Sequence, residues 1–399
     1  MSKQKGFFTN IVCAMLISSL LLTVTLTAQV NAKQLDLQNN LEIMSVEIPN
    51  ALNDFAIKNF VRQVQSIYNE ANNYGFNKDE VIYFYLGEPF NCYTYENNNV
   101  ETGEIFYYPI MFKDRVRGIY AVAKTQDGKY SATLEKGFAD QLEKLKENKH
   151  NSRIRILATS NCVYAINSED SVILSNNNGK DVELSSSEVK KINEIINDKK
   201  SIINLEKTVR ISINPLKLNV KNTNSDVIIR RVIAGPENKY LNVNIVRQSG
   251  DTCWAATCAA IINYKKNKSL NDIDVAKYIY GSNWNKGGGI NEELKAYHNW
   301  GLYPTYYSSA ISYSRAVDQL QSGSPIDCGF YAYKNIVQNY GHAMTCRGYV
   351  EYENGNKYFS FIDPNKSSYV SLTAYDNTNN ITYVFNGKTW YWCESLLGF

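Results

Sequence analysis

The spacing of apolar residues changes part-way along the first half of the chain, and this change most constrains the fold. From Leu52 to Ala71 the apolar residues recur at the three- and four-residue intervals of a helix. Short runs rich in β-branched and aromatic residues follow and predict strands at Val81–Leu86, Ile105–Phe112, Val116–Val122, Tyr130–Leu134 and Ile154–Leu157. Helical stretches at about 137–147 and 186–198 do not alternate with these strands one for one. The pattern therefore predicts an α+β fold, because it lacks the strand-helix alternation of a parallel sheet.

Length and composition indicate more than one folded unit. The 399 residues exceed a typical domain of about 100–200 residues. With 44% hydrophobic residues, 20% charged residues and only 8 Pro, the chain does not belong to the disordered or fibrous classes. The 42 Lys and Arg residues nearly balance the 39 Asp and Glu residues, and no long run of one sign occurs. The charge pattern therefore gives no indication of a nucleic-acid partner.

The first 32 residues have the pattern of a signal peptide. Lys3 and Lys5 precede a charge-free stretch, Phe7 to Ala28, which leads to the small-x-Ala sequence at 30–32. We expect cleavage after this sequence and secretion of the remainder, with membrane contact only through the transient signal peptide. An uncleaved anchor is the alternative, because the stretch could span a bilayer with about 20 residues. Either interpretation puts the rest of the chain outside the cytosol.

A polar segment divides the remaining chain into two parts. Lys221 to Asp226 is rich in Asn, Lys and Asp, and it is followed by Arg230-Arg231 and by Ala234-Gly235-Pro236. This composition predicts an exposed linker. We therefore expect an α+β N-terminal domain over 33–235 and a second domain over 236–399.

Seven of the eight cysteines lie outside the signal peptide, because only Cys13 falls within it. An odd number of cysteines in a secreted chain predicts at least one thiol without an intramolecular partner. The spacings do not provide two Cys-x-x-Cys pairs, so we expect no structural zinc and no other metal site.

Cys253 has the local sequence of a reactive thiol. Gly250, Asp251 and Thr252 have turn and N-cap character and precede an apolar helix predicted over Ala255–Tyr264. Cys253 therefore falls in the first helical turn, where the positive end of the helix dipole favours the thiolate. The sequence predicts a nucleophile at this position.

Two residues that follow Cys253 in the chain and one that shortly precedes it complete a possible catalytic set. His342, one of only three histidines, begins a strand-like stretch, and Asp363 ends the next predicted strand, Tyr358–Ile362. An imidazole that shares the thiol proton and a carboxylate that orients the imidazole make a Cys-His-Asp triad. Gln248 suits the role of an amide donor to an oxyanion, together with the backbone N–H of Cys253.

These motifs together resemble the papain-like cysteine peptidases, in particular their compact secreted bacterial branches such as the staphopain-like and related effector proteases. The resemblance rests on Gln-x4-Cys-Trp-Ala-Ala at 248–256, His342-Ala343, Gly348-Tyr349, Asp363, and a glycine loop with its following helix at 287–302. It covers about Leu241 to Phe399. The Gln-to-Cys interval is one residue shorter than in papain, Asp363 stands where Asn is more usual, and no Trp follows it at the position that commonly shields this residue.

The resemblance implies a two-lobed catalytic domain, with a helical lobe that carries Cys253 and an antiparallel β-barrel-like lobe that carries His342 and Asp363. It also implies substrate-binding roles for Gly288, Gly289, Trp254 and Ala343. The expected activity is that of a secreted cysteine endopeptidase that acts on polypeptides through an acyl-thioester and needs no cofactor.

Several alternatives stay open at the level of sequence. Asn365 is a second candidate for the third triad position, whereas His150 and His298 are expected to have no catalytic role. The N-terminal domain is interpreted as a propeptide that covers the cleft as an intramolecular inhibitor and is later removed, or as an adhesion or cell-wall module. The whole chain could instead be a Cys-His amidase acting on cell-wall peptide, or a binding protein with a decayed site.

Overall fold

The computed structural model describes residues 41–148, 153–159, 162–176, 183–196, 201–204, 237–332, 341–376, 381–385 and 387–399. The predicted signal peptide, the linker around 221–236 and His150 lie outside these residues. Within them, no helix is both long and apolar enough to span a bilayer.

The described residues form a mixed α+β structure with a large sheet and several helices. Its strands are β1 Glu42–Ser45, β2 Tyr85–Leu86, β3 Phe90–Glu96, β4 Asn99–Phe112, β5 Arg115–Lys124, β6 Tyr130–Glu135, β7 Arg153–Ala158, β8 Cys162–Ile166, β9 Ser171–Asn176, β10 Ser201–Asn204, β11 Glu237–Tyr240, β12 Thr305–Tyr307, β13 Ile326–Ala332, β14 Gly341–Glu351, β15 Lys357–Ile362, β16 Val370–Ala374, β17 Thr382–Phe385 and β18 Lys388–Leu397. Its α-helices are α1 Asn50–Ile67, α2 Lys78–Val81, α3 Ala139–Asn148, α4 Ser186–Ile195, α5 Cys253–Lys266, α6 Asp272–Tyr280, α7 Ile290–Asn299 and α8 Tyr313–Gln321. Two 3₁₀ helices cover Tyr68–Tyr74 and Gly281–Asn283.

Most of the predicted elements are confirmed. The helical period from Leu52 to Ala71 corresponds to α1 and the 3₁₀ helix that continues it. The run Val81–Leu86 is a correction, because only Tyr85 and Leu86 are in a strand. Its first residue instead ends α2, where the Asn77 side chain caps the helix by accepting a hydrogen bond from the backbone of Asp79. A good cap thus overrides the strand propensity of the apolar run.

Antiparallel strands form the framework of the C-terminal half. Strand β14 lies between β13 and β15, β16 pairs with β15, and β18 pairs with β12, β13 and β17. A register shift between Cys346 and Gly348 interrupts the pairing of β14 with β15. Helix α5 carries buried residues on most of its length and packs in one apolar cluster with α6, α7 and Ala343 of β14. The start of α5 and the start of β14 are thereby brought together.

The sheet continues from the N-terminal half into the C-terminal half. Strand β6 pairs antiparallel with β16, with Leu134 opposite Ser371 and Thr133 opposite Leu372. One apolar cluster contains residues of α1, β4 to β6 and the C-terminal strands, among them Phe60, Leu134 and Phe359. The two halves therefore share part of their core.

Candidate active site

A buried carboxylate holds the turn that precedes Cys253. The backbone amide and the hydroxyl of Ser249 donate to Asp272 at 2.6 and 3.1 Å, and the Thr252 hydroxyl donates to it at 2.6 Å. Asp272 lies at the start of α6 and is buried. These hydrogen bonds tie the turn to a neighbouring helix, so that α5 begins at Cys253. No sequence pattern marks Asp272 as part of the site, because Asn271 and Asp274 form a capping box within which it looks like an ordinary first-turn acid.

The Cys253 thiol is hydrogen-bonded to the imidazole of His342. Burial alone would raise the pKa of Cys253, but the hydrogen bond and charge of His342 outweigh it, with backbone amides of Ala343 and Trp254 adding to them. The pKa of Cys253 therefore lies below that of an ordinary thiol. The helix N-terminus acts in the same direction. The arrangement favours the thiolate, which is the nucleophilic form.

The imidazole of His342 is anchored on its other side by Asp363. His342 Nε2 lies 2.7 Å from Asp363 Oδ1. Burial would favour the neutral ring, but the charge and hydrogen bond of Asp363, followed by those of Cys253, raise the pKa of His342 to about 10. Burial likewise opposes ionisation of Asp363, yet His342, then Lys366 and Tyr383, lower the pKa of Asp363 to about 2. Near neutral pH the three groups therefore favour a thiolate, an imidazolium and a carboxylate.

Asp363 is fully buried and lies directly after β15. Its Oδ2 accepts a hydrogen bond from the Tyr383 hydroxyl at 2.6 Å, and its Oδ1 accepts one from the backbone amide of Asn365 at 2.8 Å. Asn365, the second candidate for the third position, thus contacts Asp363 through its backbone. Tyr383 was missed by the sequence analysis, because it comes from β17 and no local pattern links it to Asp363.

A tryptophan ring lies beside His342, although no Trp follows Asp363 at the position where papain-like peptidases commonly have one. The Trp390 ring, at the start of β18, has its centroid 6.1 Å from that of His342 at an interplanar angle of 64°. A Trp from another strand therefore lies beside the candidate base. The burial of both His342 and Asp363 limits the access of water to the hydrogen bond between them.

Gln248 connects the two loops that carry the site. Its backbone amide donates to the Pro364 carbonyl at 3.0 Å, and its Nε2 donates to the Gly250 carbonyl at 2.6 Å. Its Oε1 is buried and accepts no hydrogen bond from any residue the structure describes. Since a carboxamide nitrogen carries two hydrogens, one of them stays available after the bond to Gly250. The amide of Cys253, as the first helical residue, has no acceptor within α5.

The glycine loop packs against the helix of the candidate nucleophile. A Cβ atom on Gly288 would lie 2.6 Å from ring atoms of Trp254, so only glycine fits there without movement. At Gly289 the nearest atom to such a Cβ would be the Glu292 carboxylate, at 3.8 Å. The Gly289 amide donates to this carboxylate at 3.0 Å, and Gly289 is the N-cap residue of α7.

Trp254 corrects one expectation of substrate contact. Its side chain is only 1% exposed, and its Nε1 donates to the Lys286 carbonyl at 3.1 Å. The indole therefore supports the glycine loop from beneath and presents no surface to a substrate. Ala343 is also buried, at 6% exposed, and it meets Cys253 through its backbone amide. Gly288 and Gly289 stay the predicted loop contacts.

Carboxylates lie on the inner side of the site. Burial raises the pKa of Asp327 to about 7, opposed by a hydrogen bond from Tyr297 and supported by the charge of Glu394. Burial, then the charges of Asp327 and Cys253, raise the pKa of Glu293 well above its usual range. Despite these acids, the described part of the chain contains no group of three or more His, Cys, Asp or Glu residues able to hold a metal ion. The ring of His298 packs against that of Tyr303, with 5.1 Å between their centroids.

Comparison with known proteins gives one family match. Residues 236–380 match the family model described as papain-like cysteine protease AvrRpt2. No curated protein matches the chain. Among solved structures, a recombinant stem bromelain precursor is 18% identical, with 43% of this chain and 74% of that chain covered and a TM-score of 0.27. The bromelain protease from Ananas comosus in complex with the E64 inhibitor is 17% identical, with 38% and 93% covered and a TM-score of 0.24.

Proposed function

We propose, from the match of residues 236–380 to the papain-like cysteine protease model, that the protein is a secreted thiol endopeptidase with Cys253, His342 and Asp363 as its triad. A cysteine peptidase is a hydrolase that acts on polypeptides. The observation that carries the triad is the continuous series of contacts from the Cys253 thiol to His342 and from His342 Nε2 to the fully buried Asp363.

The reaction begins with attack of the Cys253 thiolate on the carbonyl carbon of the scissile peptide bond. The new S–C bond pushes the carbonyl electrons onto oxygen, where the second Nε2 hydrogen of Gln248 and the amide of Cys253 stabilise the negative charge. The His342 imidazolium then gives its proton to the leaving amine as the C–N bond breaks. An acyl-thioester remains on Cys253.

Water completes the cycle. The now neutral imidazole of His342 takes a proton from water, and the resulting hydroxide attacks the thioester carbonyl. The C–S bond breaks, the carboxylic acid product leaves, and the thiolate is restored beside the imidazolium. Asp363 keeps its charge throughout and orients the ring by accepting the hydrogen bond from Nε2.

We also propose how the fold is divided around the cleft. Helices α5 to α7 supply Cys253 and the glycine loop, whereas β13 to β18 supply His342 and the loop of Asp363. This division supports a helical lobe and a strand lobe with the substrate between them. An extended peptide would run beside Gly288 and Gly289, where the absence of side chains permits close approach of two backbones.

Secretion and activation by processing are part of the same proposal. The Lys3 to Ala32 pattern supports export, and the polar segment around 221–236 supports a cut between the two halves. We propose that residues 33–235 are a propeptide that restrains the peptidase until this cut is made. Mass spectrometry of the secreted protein tests both steps, because a mature N-terminus at Met1 or an uncut, fully active chain would contradict them.

The nucleophile is tested by replacing Cys253 and a matched cysteine in the same helix. Cys253→Ala should lower the rate of peptide hydrolysis by about 10⁶-fold, as expected for loss of a triad nucleophile. Cys258→Ala is the control, because Cys258 is a fully buried free thiol of α5 whose pKa burial raises well above the usual range. A thiol-directed epoxide should label the wild type and the control but not Cys253→Ala. Activity of Cys253→Ala within tenfold of the wild type would reject the proposed role.

A further inference from the structure

We infer that the N-terminal half, residues 41–204, is a lasting subunit of the working peptidase, held by non-covalent contacts after the linker is cut. We further infer that Glu135 of this half is a positioning residue for Asp363. Both inferences rest on the proposed function. On these inferences the mature enzyme consists of two associated chains, whereas a propeptide that dissociates after the cut would leave a single chain.

The first support is the shared sheet. Strand β6 is hydrogen-bonded to β16 in antiparallel register. Beside this pairing, the Val384 amide of β17 donates to the Thr133 hydroxyl at 3.0 Å, and the Gly387 amide donates to the Tyr107 hydroxyl at 3.0 Å. Separation of the halves would leave β16 with an open edge in place of a paired one.

A buried polar network from α1 forms the second support. Asn59 Nδ2 donates to Thr373 Oγ1 at 3.3 Å, and Asn59 Oδ1 accepts from the Tyr358 hydroxyl at 2.7 Å. Gln63 Nε2 donates to the Ser371 carbonyl at 2.8 Å. These amides have little or no exposure and find acceptors and donors in the other half. Loss of the N-terminal half would remove these partners from β15 and β16.

The strongest support is a fully buried cation. The side chain of Arg347 on β14 has no exposed surface, and its Nη1 lies 2.6 Å from a carboxylate oxygen of Glu70 in the N-terminal half. The Tyr74 hydroxyl, also from that half, donates to Ser360 Oγ at 2.6 Å, and this Oγ accepts a hydrogen bond from Arg347. A buried guanidinium needs its carboxylate, because removing one partner leaves an uncompensated charge. The buried charge of Arg347 in the catalytic half is therefore neutralised by Glu70 of the N-terminal half.

Glu135 is a carboxylate of the N-terminal half that lies near Asp363, the acid of the proposed triad. It ends β6 and is buried, with a carboxylate oxygen 3.4 Å from Lys366 Nζ. The groups that face it are Tyr107 from β4, Asp363 and Lys366 from the loop after β15, and Tyr383 from β17. Lys366 and Tyr383 both also act on Asp363. The carboxylate of Glu135 thereby offsets the positive charge of Lys366 beside the Asp363–His342 pair, and this balance favours the imidazolium of His342.

Association of the halves is tested on the full chain. A recognition site for an unrelated protease is placed between residues 221 and 226 of the Cys253→Ala protein, which is then cut and passed through a size-exclusion column. We expect both fragments to co-elute at the size of the uncut chain and to separate only in denaturant. Elution of two separate folded fragments in native buffer would overturn the inference.

A matched pair of variants tests the contact that holds the halves. Glu70→Gln should lower the affinity between the cut fragments by at least about tenfold, because it leaves Arg347 without its carboxylate. Glu194→Gln, at an exposed position of α4, should leave the affinity unchanged. Equal affinities for the two variants would contradict the role of the ion pair.

The positioning role of Glu135 is tested by the pH profile of kcat/KM in the enzyme that retains Cys253. Glu135→Gln should move the basic limb to lower pH, because the positive charge of Lys366 is then no longer offset and disfavours the imidazolium, and Glu135→Asp should restore part of the shift. Glu194→Gln is again the control. A variant Glu135→Gln that loses thermal stability but keeps the wild-type profile would show a merely structural role and overturn this part. Chromatography measures the association of the fragments and does not depend on enzyme activity. An inactive wild type whose cut fragments still co-elute would therefore refute the proposed function and leave the association of the halves standing.

Discussion

Replacing Asp363 by asparagine isolates the charge that holds the His342 imidazolium. Asparagine keeps nearly the same shape and can still accept a hydrogen bond from Nε2, but it carries no negative charge. At the observed separation of 2.7 Å, a pair of unit charges is worth ~6 kcal/mol with an effective dielectric constant of about 20. This is the same order as the effect that raises the pKa of His342 from 6.5 to about 10 against burial.

The expected result is a shift of the basic limb of kcat/KM to lower pH. The imidazolium is present below the pKa of His342 and is lost as pH rises through about 10. Since part of the Coulomb term is offset by burial and by the remaining hydrogen bond, we expect Asp363→Asn to move this limb down by about 2 pH units. Activity near pH 6 should be largely kept, because the thiolate and imidazolium still form there.

The assay is the hydrolysis of a fluorogenic peptide between pH 5 and pH 11 by the enzyme that retains Cys253. Asp376→Asn is the matched control, because the Asp376 side chain is 87% exposed and pairs with Lys357 away from the triad. A basic limb that stays within 0.3 pH units of the wild type in Asp363→Asn would refute the argument that the carboxylate charge sets the pKa of His342.

Three further predictions concern the loop and the carboxylate. Gly288→Ala should lower kcat/KM by ~10²-fold, because its Cβ would lie 2.6 Å from the Trp254 ring and displace the loop, whereas Gly287→Ala, whose Cβ would meet no atom within 4 Å, should change it little; equal effects in peptide hydrolysis would contradict this. Tyr383→Phe removes a donor to the buried Asp363 carboxylate and should lower the free energy of unfolding by ~1.5–3 kcal/mol in urea titrations; an unchanged midpoint would count against it. Because the pKa of Asp363 is lowered from 3.8 to about 2, its ionised form stabilises the fold above pH 3.8, and this contribution is lost as pH falls through 2. The melting temperature of the wild type should therefore fall more steeply with acid than the melting temperature of Asp363→Asn.

Local sequence was sufficient for the elements whose cause lies within a few residues. The turn before α5 and the apolar residues after it predict a helix with Cys253 in its first turn, because N-cap geometry and helical periodicity are properties of a short segment. The strands that carry His342 and end before Asp363 are recognisable for the same reason. Their chain order made the candidate set visible before any distance between them was known.

Chain order could not reveal the groups that act across the fold. Trp390 lies beside His342, and Tyr383 binds Asp363, because β17 and β18 return to the same end of the sheet. Glu135 reaches this end through the pairing of β6 with β16, over a separation in sequence that no local pattern spans. The sequence by itself thus determined the segment types and the candidate nucleophile, base and acid. Only the tertiary structure decided what buries them, because burial and charge at a site depend on strand pairing between distant segments, and these set the pKa values on which the chemistry depends.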